Sequence, residues 1–364
     1  MSDFHKLKVE KVVRETGECV TIYFEVPENL ADTFLHNAGQ YLTLKADINE
    51  NEVRRAYSIC TAPSENGVGV SVKKVKNGLM STYLNANLSA GDELEVMSPD
   101  GKFVVKTDRM SQRDHYFFAA GSGITPIMSM IKTVLEEEPK STCYLLYGNR
   151  DEDNIIFKSM LDDMQIKYDG QLMVRHTLSQ PLKEKKGGLF GAFSKGKISW
   201  SGAVGRINKN ILDKWMDEAQ SKTGNNEYYI CGPSGMISMV KSYLQNMDAA
   251  EADIHVEYFT AADSDKKDVA SADGATLVAT IEGETHEVSV PKGKSLLDSL
   301  LDQKIDAPFS CTSGACSTCM AKVIEGSADM EACFALDDDE VADGFILTCQ
   351  AHPTSQKIVI SYDV

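Results

Sequence analysis

Three cysteines crowd the stretch Cys311-Thr312-Ser313-Gly314-Ala315-Cys316-Ser317-Thr318-Cys319, and a fourth, Cys349, follows after a long gap. Thiolates spaced C-x4-C-x2-C with a distant fourth form the ligand set of a [2Fe–2S] cluster: three grip it from one tight loop and the last closes it from elsewhere. The residues between them are small. A loop wrapped around inorganic sulfides has room for little else, and its inward N–H groups tune the potential. Structural zinc more usually takes two C-x2-4-C pairs, whereas here the first interval is longer and the last ligand stands alone. The other five cysteines, Cys19, Cys60, Cys143, Cys231 and Cys333, are scattered and odd in number, so no disulfide framework is indicated.

Two upstream stretches carry groups that bind phosphate. In Arg54-Arg55-Ala56-Tyr57-Ser58-Ile59 an arginine on a strand can neutralise a pyrophosphate, and the tyrosine offers a ring face. In Asn77-Gly78-Leu79-Met80-Ser81 a glycine leads into a helix whose first N–H groups can hold an anion. Either alone is as well explained by a turn or by chance.

A third site follows the apolar run Tyr116–Ala119. There Ala120-Gly121-Ser122-Gly123-Ile124-Thr125-Pro126 reads as strand, tight turn and helix start, with Thr125 as N-cap and Pro126 as the first helical residue. That combination makes an anion site at the carboxyl edge of a parallel sheet. The third glycine of G-x-G-x-x-G is replaced by Pro126, which disfavours a standard Rossmann dehydrogenase. Two more strand ends face the same edge: Gly148-Asn149-Arg150 and Cys231-Gly232-Pro233. Cys231 is either a contact to the ligand or a small buried residue. Arg150 can meet a 2′-phosphate or stack on adenine.

The elements that must position these groups divide the 364 residues into more than one core. Residues 1–109 alternate apolar and polar in short runs, such as Val20-Thr21-Ile22-Tyr23-Phe24 and Val68–Lys73, and predict an antiparallel β-barrel with one helix at Met80–Leu88. Residues 110–262 alternate strand and helix, an α/β parallel-sheet domain. Within it, Gln180–Ser201 is a long basic, Gly-rich insertion, read as a solvated loop or a contact for an acidic partner or phosphate. Residues 263–274 read as a flexible linker, and 275–364 as an α+β domain holding the cysteines.

The net charge of −17 argues against non-specific nucleic-acid binding. The last unit is the acidic part, with 15 acidic and 5 basic residues after 274, which suits docking on a basic partner. No apolar run approaches the ~20 residues of a transmembrane span, and Met1–Lys6 begins no secretory signal. A cytoplasmic protein is expected.

The segment from Ala275 to Val364 resembles plant-type ferredoxins, whose fold is β-grasp-like. The R-x-Y-S stretch and the Gly78 entry together resemble the flavin domain of the ferredoxin–NADP reductase family, and G-S-G-I-T-P resembles its nicotinamide domain. The order of units resembles reductase components of multicomponent oxygenases, of the phenylacetyl-CoA epoxidase and ketosteroid hydroxylase type. The resemblance implies FAD rather than FMN, NADH or NADPH, and a terminal oxygenase or hydroxylase as acceptor. It also implies that Arg55 meets the flavin pyrophosphate, with Arg54 able to share that work. Tyr57 would pack on the isoalloxazine, Ser58 would lie near N5, and Gly78, Leu79, Met80 and Ser81 would cradle phosphate. Gly121, Gly123, Thr125, Pro126, Cys231, Gly232 and Pro233 would line the nicotinamide site, Asn149 and Arg150 the adenosine end, and Phe259 would touch the flavin. A flavin accepts a hydride's electron pair and releases single electrons, which a cluster can carry. Two alternatives stand beside this reading: a reductase of a soluble carrier or cytochrome, and a zinc-stabilised nucleotide-binding regulator.

Overall fold

The computed structural model describes residues 4–184, 197–259 and 267–363, and they form three sheet-centred units in chain order.

In the first unit, strands β1 (Phe4–Thr16), β2 (Cys19–Glu25), β3 (Tyr41–Ile48), β4 (Asn51–Ser58), β5 (Val68–Lys73) and β6 (Glu93–Met97) lie in the order β4-β3-β6-β1-β2-β5. A bridge between Ile59 and Val70 joins the two edges and closes an antiparallel barrel. Leu7, Ile22, Phe24, Leu42, Leu44 and Val70 fill it. β1 is the longest strand, yet its sequence does not announce it. Register shifts at Val9/Lys11 and Arg14/Thr16 break the period-two pattern. The single helix, α1 (Leu79–Ala86), lies close to where the sequence predicts it.

The second unit runs β7 (Asp114–Ala120), α2 (Ile124–Glu137), β8 (Thr142–Asn149), α3 (Lys158–Lys167), β9 (Leu172–Leu178), an antiparallel pair of β10 (Lys183–Glu184) and β11 (Lys197–Ile198), β12 (Ala203–Val204), α4 (Lys209–Glu218), β13 (Asn226–Cys231), α5 (Ser234–Gln245) and β14 (Ile254–Glu257). Its parallel sheet has the order β12-β9-β8-β7-β13-β14. β8 is buried along its whole length, as a central parallel strand covered on both faces must be. The chain proceeds outward from β7 in one direction, then returns to place β13 on the other side. The crevice at this reversal is where open α/β sheets bind ligands. The centre of the basic insertion lies outside the described residues.

In the third unit, β15 (Ala275–Ile281), β16 (Glu284–Val290), α6 (Leu296–Asp302), β17 (Met320–Glu325), β18 (Ala328–Met330), α7 (Asp338–Ala342), β19 (Phe345–Leu347), β20 (Ala351–Pro353) and β21 (Lys357–Ser361) follow one another. The main sheet has the order β16-β15-β21-β17-β19, with its first and last strands as parallel central neighbours, the β-grasp arrangement. Ser295 caps α6 by accepting the Asp298 N–H, and Leu296, Leu297 and Leu300 pack beneath. Residues 267–274, expected to be part of a free linker, are tied to this unit. Lys267 N donates to Glu331 O (2.9 Å) and Ala272 N to Pro353 O (2.8 Å). Among the described residues, no helix is long and apolar enough to cross a membrane.

Candidate active site and cluster centre

The crevice between β7 and β13 gathers the glycine motifs. Ala119 pairs with Cys231 across the two strands, so the turns that follow them lie side by side. A Cβ on Gly123 would stand 2.1 Å from the Cys231 carbonyl oxygen and 2.9 Å from Gly232 N; only glycine lets these turns touch. Gly121 to Gly123 form a 3₁₀ turn that runs straight into α2. Thr125 is therefore not the N-cap. It lies inside the first turn, its hydroxyl donating back to Ser122 O (3.0 Å), and Gly123 takes the cap position. Pro126 likewise sits past the first helical residue, Ile124. Pro233 caps α5. Cys231 is fully buried, and burial pushes its thiol well up, so it stays protonated. Asn149 ends β8 and is buried, whereas Arg150 is exposed, with Nε 3.0 Å from Asp151. Lys73, at the end of β5, was not singled out by sequence. Its ammonium stands 3.6 Å from where a Gly121 Cβ would be, a cation from the barrel placed beside the turn.

The register of β3 with β4 separates the two arginines. Leu42 faces Tyr57 and Leu44 faces Arg55, while Tyr41 faces Ser58 and Lys45 faces Arg54. Paired residues share a face and successive residues alternate. Arg55 and Tyr57 thus share one face, and Arg54 and Ser58 share the other. Arg55 is exposed, its Nη1 donating to the Arg54 carbonyl (2.6 Å). Tyr57 is half-buried against the barrel core, and burial raises its phenol. Arg54 is 4% exposed and turned toward the third unit: Nε meets Glu52 at 2.7 Å, Nη2 meets Asp306 at 2.8 Å, the guanidinium lies 4.5 Å over the Phe309 ring, and Nη1 is buried without a hydrogen-bond partner. At the entry to α1, Ser81 Oγ accepts from Val75 N (3.1 Å) and donates to Gly78 O (3.4 Å). The first-turn N–H groups there have no partner within the helix. Leu79 is exposed and Met80 buried beneath it. Phe259 packs against the core shared by the first two units.

The four cysteines of the motif stand two and two. Cys311 and Cys316 are within hydrogen-bonding reach of each other, as are Cys319 and Cys349. The bond from Cys316, with N–H groups of Ser313 and Ala315, draws Cys311 well below the ordinary thiol range against the effect of burial. Among the described residues no three His, Cys, Asp or Glu side chains converge on a single-ion site. Two facing thiol pairs suit a binuclear cluster with one iron per pair and do not suit a mononuclear zinc. The N–H and hydroxyl of Thr348 both donate to Cys319 O (3.1 and 3.0 Å), which locks the distant ligand's strand to the loop. Cys333 belongs to neither pair.

The cluster loop lies against the barrel. Tyr41 and Thr43 occupy the outward face of β3, where alternation with Leu42 and Leu44 predicts solvent. Both are buried instead, at 6% and 2% exposure. Thr43 Oγ1 donates to Ser310 Oγ (2.8 Å), and Tyr41 Oη meets Thr318 Oγ1 (3.1 Å). Lys102 pairs with Glu340, and the Tyr258 ring lies 4.6 Å from Phe334. A cavity of about 150 Å³ remains where the three units meet, lined by Tyr41, Phe103, Glu257, Tyr258, Ser317 and Phe334. Burial, then the nearby Cys311, push the Glu257 carboxyl up to about 8. Tyr41, Asp306 and Glu257 were not marked by the sequence. Only the three-unit assembly gives them neighbours.

Family models match along the chain: an oxidoreductase FAD-binding domain at residues 6–105, an oxidoreductase NAD-binding domain at 117–242 and a 2Fe-2S iron-sulfur cluster binding domain at 279–354. One component of the 1,2-phenylacetyl-CoA epoxidase of Escherichia coli K12 is 35% identical over 366 residues, covering 100% of this chain and 99% of that protein. The chain belongs to the family of the phenylacetyl-CoA epoxidase and ketosteroid monooxygenase reductase components. The ferredoxin reductase component of the 3-ketosteroid-9-alpha-monooxygenase of Rhodococcus rhodochrous is 32% identical, covering 98% of this chain and 96% of that protein. The solved phthalate dioxygenase reductase shares the fold over 98% of both chains, with a TM-score of 0.57 at 23% identity. The FAD/NAD-binding domain of a Vibrio cholerae nitric oxide dioxygenase has a TM-score of 0.55 at 20% identity, covering 70% of this chain and 98% of that one. The first two units thus occur as a fold by themselves. This oxygenase reductase is an oxidoreductase that takes electrons from NAD(P)H through FAD to a [2Fe–2S] cluster.

Proposed function

We propose that this reductase serves a cytoplasmic oxygenase of the phenylacetyl-CoA epoxidase type, and that its units are 1–109 for FAD, 110–262 for NAD(P)H, 263–274 as connection and 275–364 for the cluster. The whole-length similarity to the epoxidase component supports this choice of partner. One observation supports the site assignment: the cluster loop meets one face of the β3–β4 ribbon through Ser310 and Thr318, while Arg55 and Tyr57 occupy the other.

The flavin, when bound, converts a two-electron hydride into single electrons that the cluster accepts. The chain's residues do the positioning. Arg55 neutralises the flavin pyrophosphate, helped by the first-turn N–H groups of Leu79, Met80 and Ser81, with Gly78 at the cap giving its own N–H to Val75 O (3.0 Å) and leaving room for the phosphate. Tyr57 packs on one ring face and Phe259 on another part of the ring system; Ser58, whose side chain lies on the opposite face of β4, meets N5 through its main chain. Arg54 is left out of this set, being spent on Asp306. The Gly121–Gly123 turn, with Thr125 and Pro126, receives the coenzyme, and Cys231, Gly232 and Pro233 flank its nicotinamide. Cys231 acts there as a packing contact, because its buried thiol stays neutral. Asn149 and Arg150 lie toward the adenosine. Cys311 and Cys316 hold one iron, Cys319 and Cys349 the other.

The test is metal and flavin analysis of the purified protein, followed by NADH- and NADPH-dependent reduction of a purified epoxidase-type oxygenase. Two irons and one FAD per chain, with oxygenase turnover, are expected. Colourless protein that binds zinc would overturn the cofactor assignment. Holoprotein that reduces only a soluble carrier would overturn the partner.

A further inference from the structure

Arg150 follows β8 at the carboxyl edge of the parallel sheet, and its charge is already answered by the protein. Nε stands 3.0 Å from Asp151 Oδ2, and Nη2 stands 3.9 Å from Glu18 Oε2. The two carboxylates come from different units. Asp151 opens the 3₁₀ turn after β8, and Glu18 lies in the turn between β1 and β2 of the barrel. One positive charge is thus set against two negative ones. The turn beyond Asp151 continues with Glu152 and Asp153 and brings no cation.

This arrangement is held from several sides. The Asp151 side chain is 14% exposed, and its Oδ1 accepts from the Asn154 amide. Burial raises the Asp151 carboxyl, but Asn154 and Arg150 outweigh it and keep it below its ordinary value, so it is charged at neutral pH. The Arg150 carbonyl accepts from Gln180 N (2.6 Å), just past β9, which fixes the main chain as well.

A 2′-phosphate carries about −1.5 to −2 charges at neutral pH. Against Arg150 it would meet Asp151 and Glu18 as like charges. A guanidinium drawn away to it would leave the little-exposed Asp151 to Asn154, an uncharged partner. A ribose 2′-hydroxyl has neither difficulty. It is neutral, and it can donate to a carboxylate while accepting from a guanidinium. A carboxylate has about four acceptor sites, so Asp151 can hold Arg150 and Asn154 and still take a hydroxyl proton.

We propose that Asp151 and Glu18 set the coenzyme choice: by neutralising Arg150 they turn the adenosine end against a 2′-phosphate and make this reductase selective for NADH over NADPH. This rests on the placement of Asn149 and Arg150 at the adenosine end. The hydride is the same in both coenzymes, so the discrimination is made in binding.

The experiment is calorimetric titration of full-length holoprotein with the two adenosine halves, AMP and adenosine 2′,5′-bisphosphate, beside kcat/KM for NADH and NADPH. Wild type binds AMP more tightly and favours NADH. Asp151→Asn keeps the shape and frees the Arg150 charge, so the bisphosphate binds about tenfold more tightly while AMP changes little. Glu18→Gln acts in the same direction by a smaller factor, because its carboxylate is farther away and half-exposed. Combining Asp151→Asn with Arg150→Ala abolishes the gain, since the freed cation was its source. Tighter binding of the bisphosphate by wild type, or a gain that survives the loss of Arg150, overturns the discrimination. Should Asp151→Asn disturb its turn and lower the melting temperature, Glu18→Gln decides, and an unchanged preference there is fatal. If both nucleotides bind wild type and Arg150→Ala, Asp151→Asn and Glu18→Gln all leave them unmoved, the adenosine lies elsewhere and the placement itself fails.

Discussion

The flavin barrel meets its two neighbours in opposite ways. Toward the nicotinamide unit the two cores merge: Cys19, Ala38, Cys60, Phe103 and Val105 of the barrel side share one apolar cluster with Ile127, Met130, Ile131 and Phe117. Ser129 of α2 donates to Thr61 O at 2.6 Å inside that contact. Toward the ferredoxin unit there is no shared core among the described residues, for its apolar cluster runs only from Ala272 to Tyr362. What joins them is polar: Tyr41–Thr318, Thr43–Ser310, Arg54–Asp306 and Lys102–Glu340, while the Tyr258–Phe334 ring contact reaches the ferredoxin unit from the nicotinamide side. The difference follows from the two transfers. Hydride passes only between atoms in near-contact, which calls for a fixed geometry. An electron must also leave for a separate protein, which calls for a unit that can come away.

Removing the ferredoxin unit gives the largest effect that this contrast predicts. A chain ending at Ala262 keeps the merged core intact. It should remain yellow and oxidise NAD(P)H with ferricyanide, while reduction of cytochrome c at equal flavin content falls severely. Equal rates with cytochrome c would mean that the cluster is not the exit. The point-mutant counterpart is Cys→Ser at 311, 316, 319 or 349, each expected to lower iron content sharply, with Cys333→Ser leaving it unchanged.

The merged interface should be far less tolerant. Gly39 has φ +110, and a Cβ there would stand 2.0 Å from Phe103 O and 2.4 Å from Met130 Cε. Gly39→Ala should therefore lower the melting temperature of the flavin–nicotinamide pair and slow hydride transfer together. A melting temperature unchanged by this substitution would mean that the two units are not rigidly joined.

The two adjacent arginines sharpen the comparison at one ribbon. Arg55→Ala removes a charge-assisted contact of about 1.5–3 kcal/mol, so flavin should bind roughly tenfold or more weakly. Arg54→Ala should leave flavin affinity alone and instead slow cluster reduction by the bound flavin. Flavin loss from Arg54→Ala with none from Arg55→Ala would reverse the assignment.

Acid separates the interfaces as well. Burial raises Glu138, but hydrogen bonds from His115, Arg113, Ser141 and Asp108 N outweigh it and hold the carboxyl at about 2. A folded pKa below the ordinary 4.5 stabilises the protein above that value, and the contribution is lost as pH falls from about 4.5 toward 2. Because Glu138 grips Asp108 N in the segment leading out of the barrel (2.9 Å), the pair's melting temperature should drop over that window. Glu138→Gln should flatten the slope.

The sequence told most where chemistry forces spacing. Four cysteines around a cluster and glycines between touching turns tolerate few alternatives, so these were legible. What escaped had one of two causes. Local irregularity hid β1, whose bulges interrupt alternation, and hid the 3₁₀ turn that moves the α2 cap from Thr125 to Gly123. Long-range assembly hid the docking residues. Tyr41 and Thr43 alternate with core leucines as solvent-facing residues do, and their partners lie more than two hundred positions away. For the same reason no sequence pattern distinguishes Arg54 from Arg55. The strand's alternation puts them on opposite faces, but only the ferredoxin unit shows what waits on each.

The smallest expected effect belongs to the pair Arg54–Asp306. Its two ends differ in setting: Arg54 is 4% exposed, whereas the Asp306 side chain is 68% exposed. Water therefore competes at the carboxylate, and such pairs contribute at most about 1 kcal/mol. Asp306→Asn leaves the guanidinium stacked on Phe309 and paired with Glu52, so the charge itself keeps a partner. Docking should weaken only a few-fold, visible as slower reduction of the cluster by flavin in stopped flow. Since half-exposed charges are screened over about 10 Å at 0.1 M salt, raising salt should slow the wild type toward the variant and leave the variant almost unmoved. Hydride transfer from NAD(P)H to flavin, seated in an apolar contact, should respond to neither change. A substitution at Asp306 that altered flavin reduction as much as cluster reduction would show that the two interfaces are coupled, and the division between a fixed and a releasable contact would not stand.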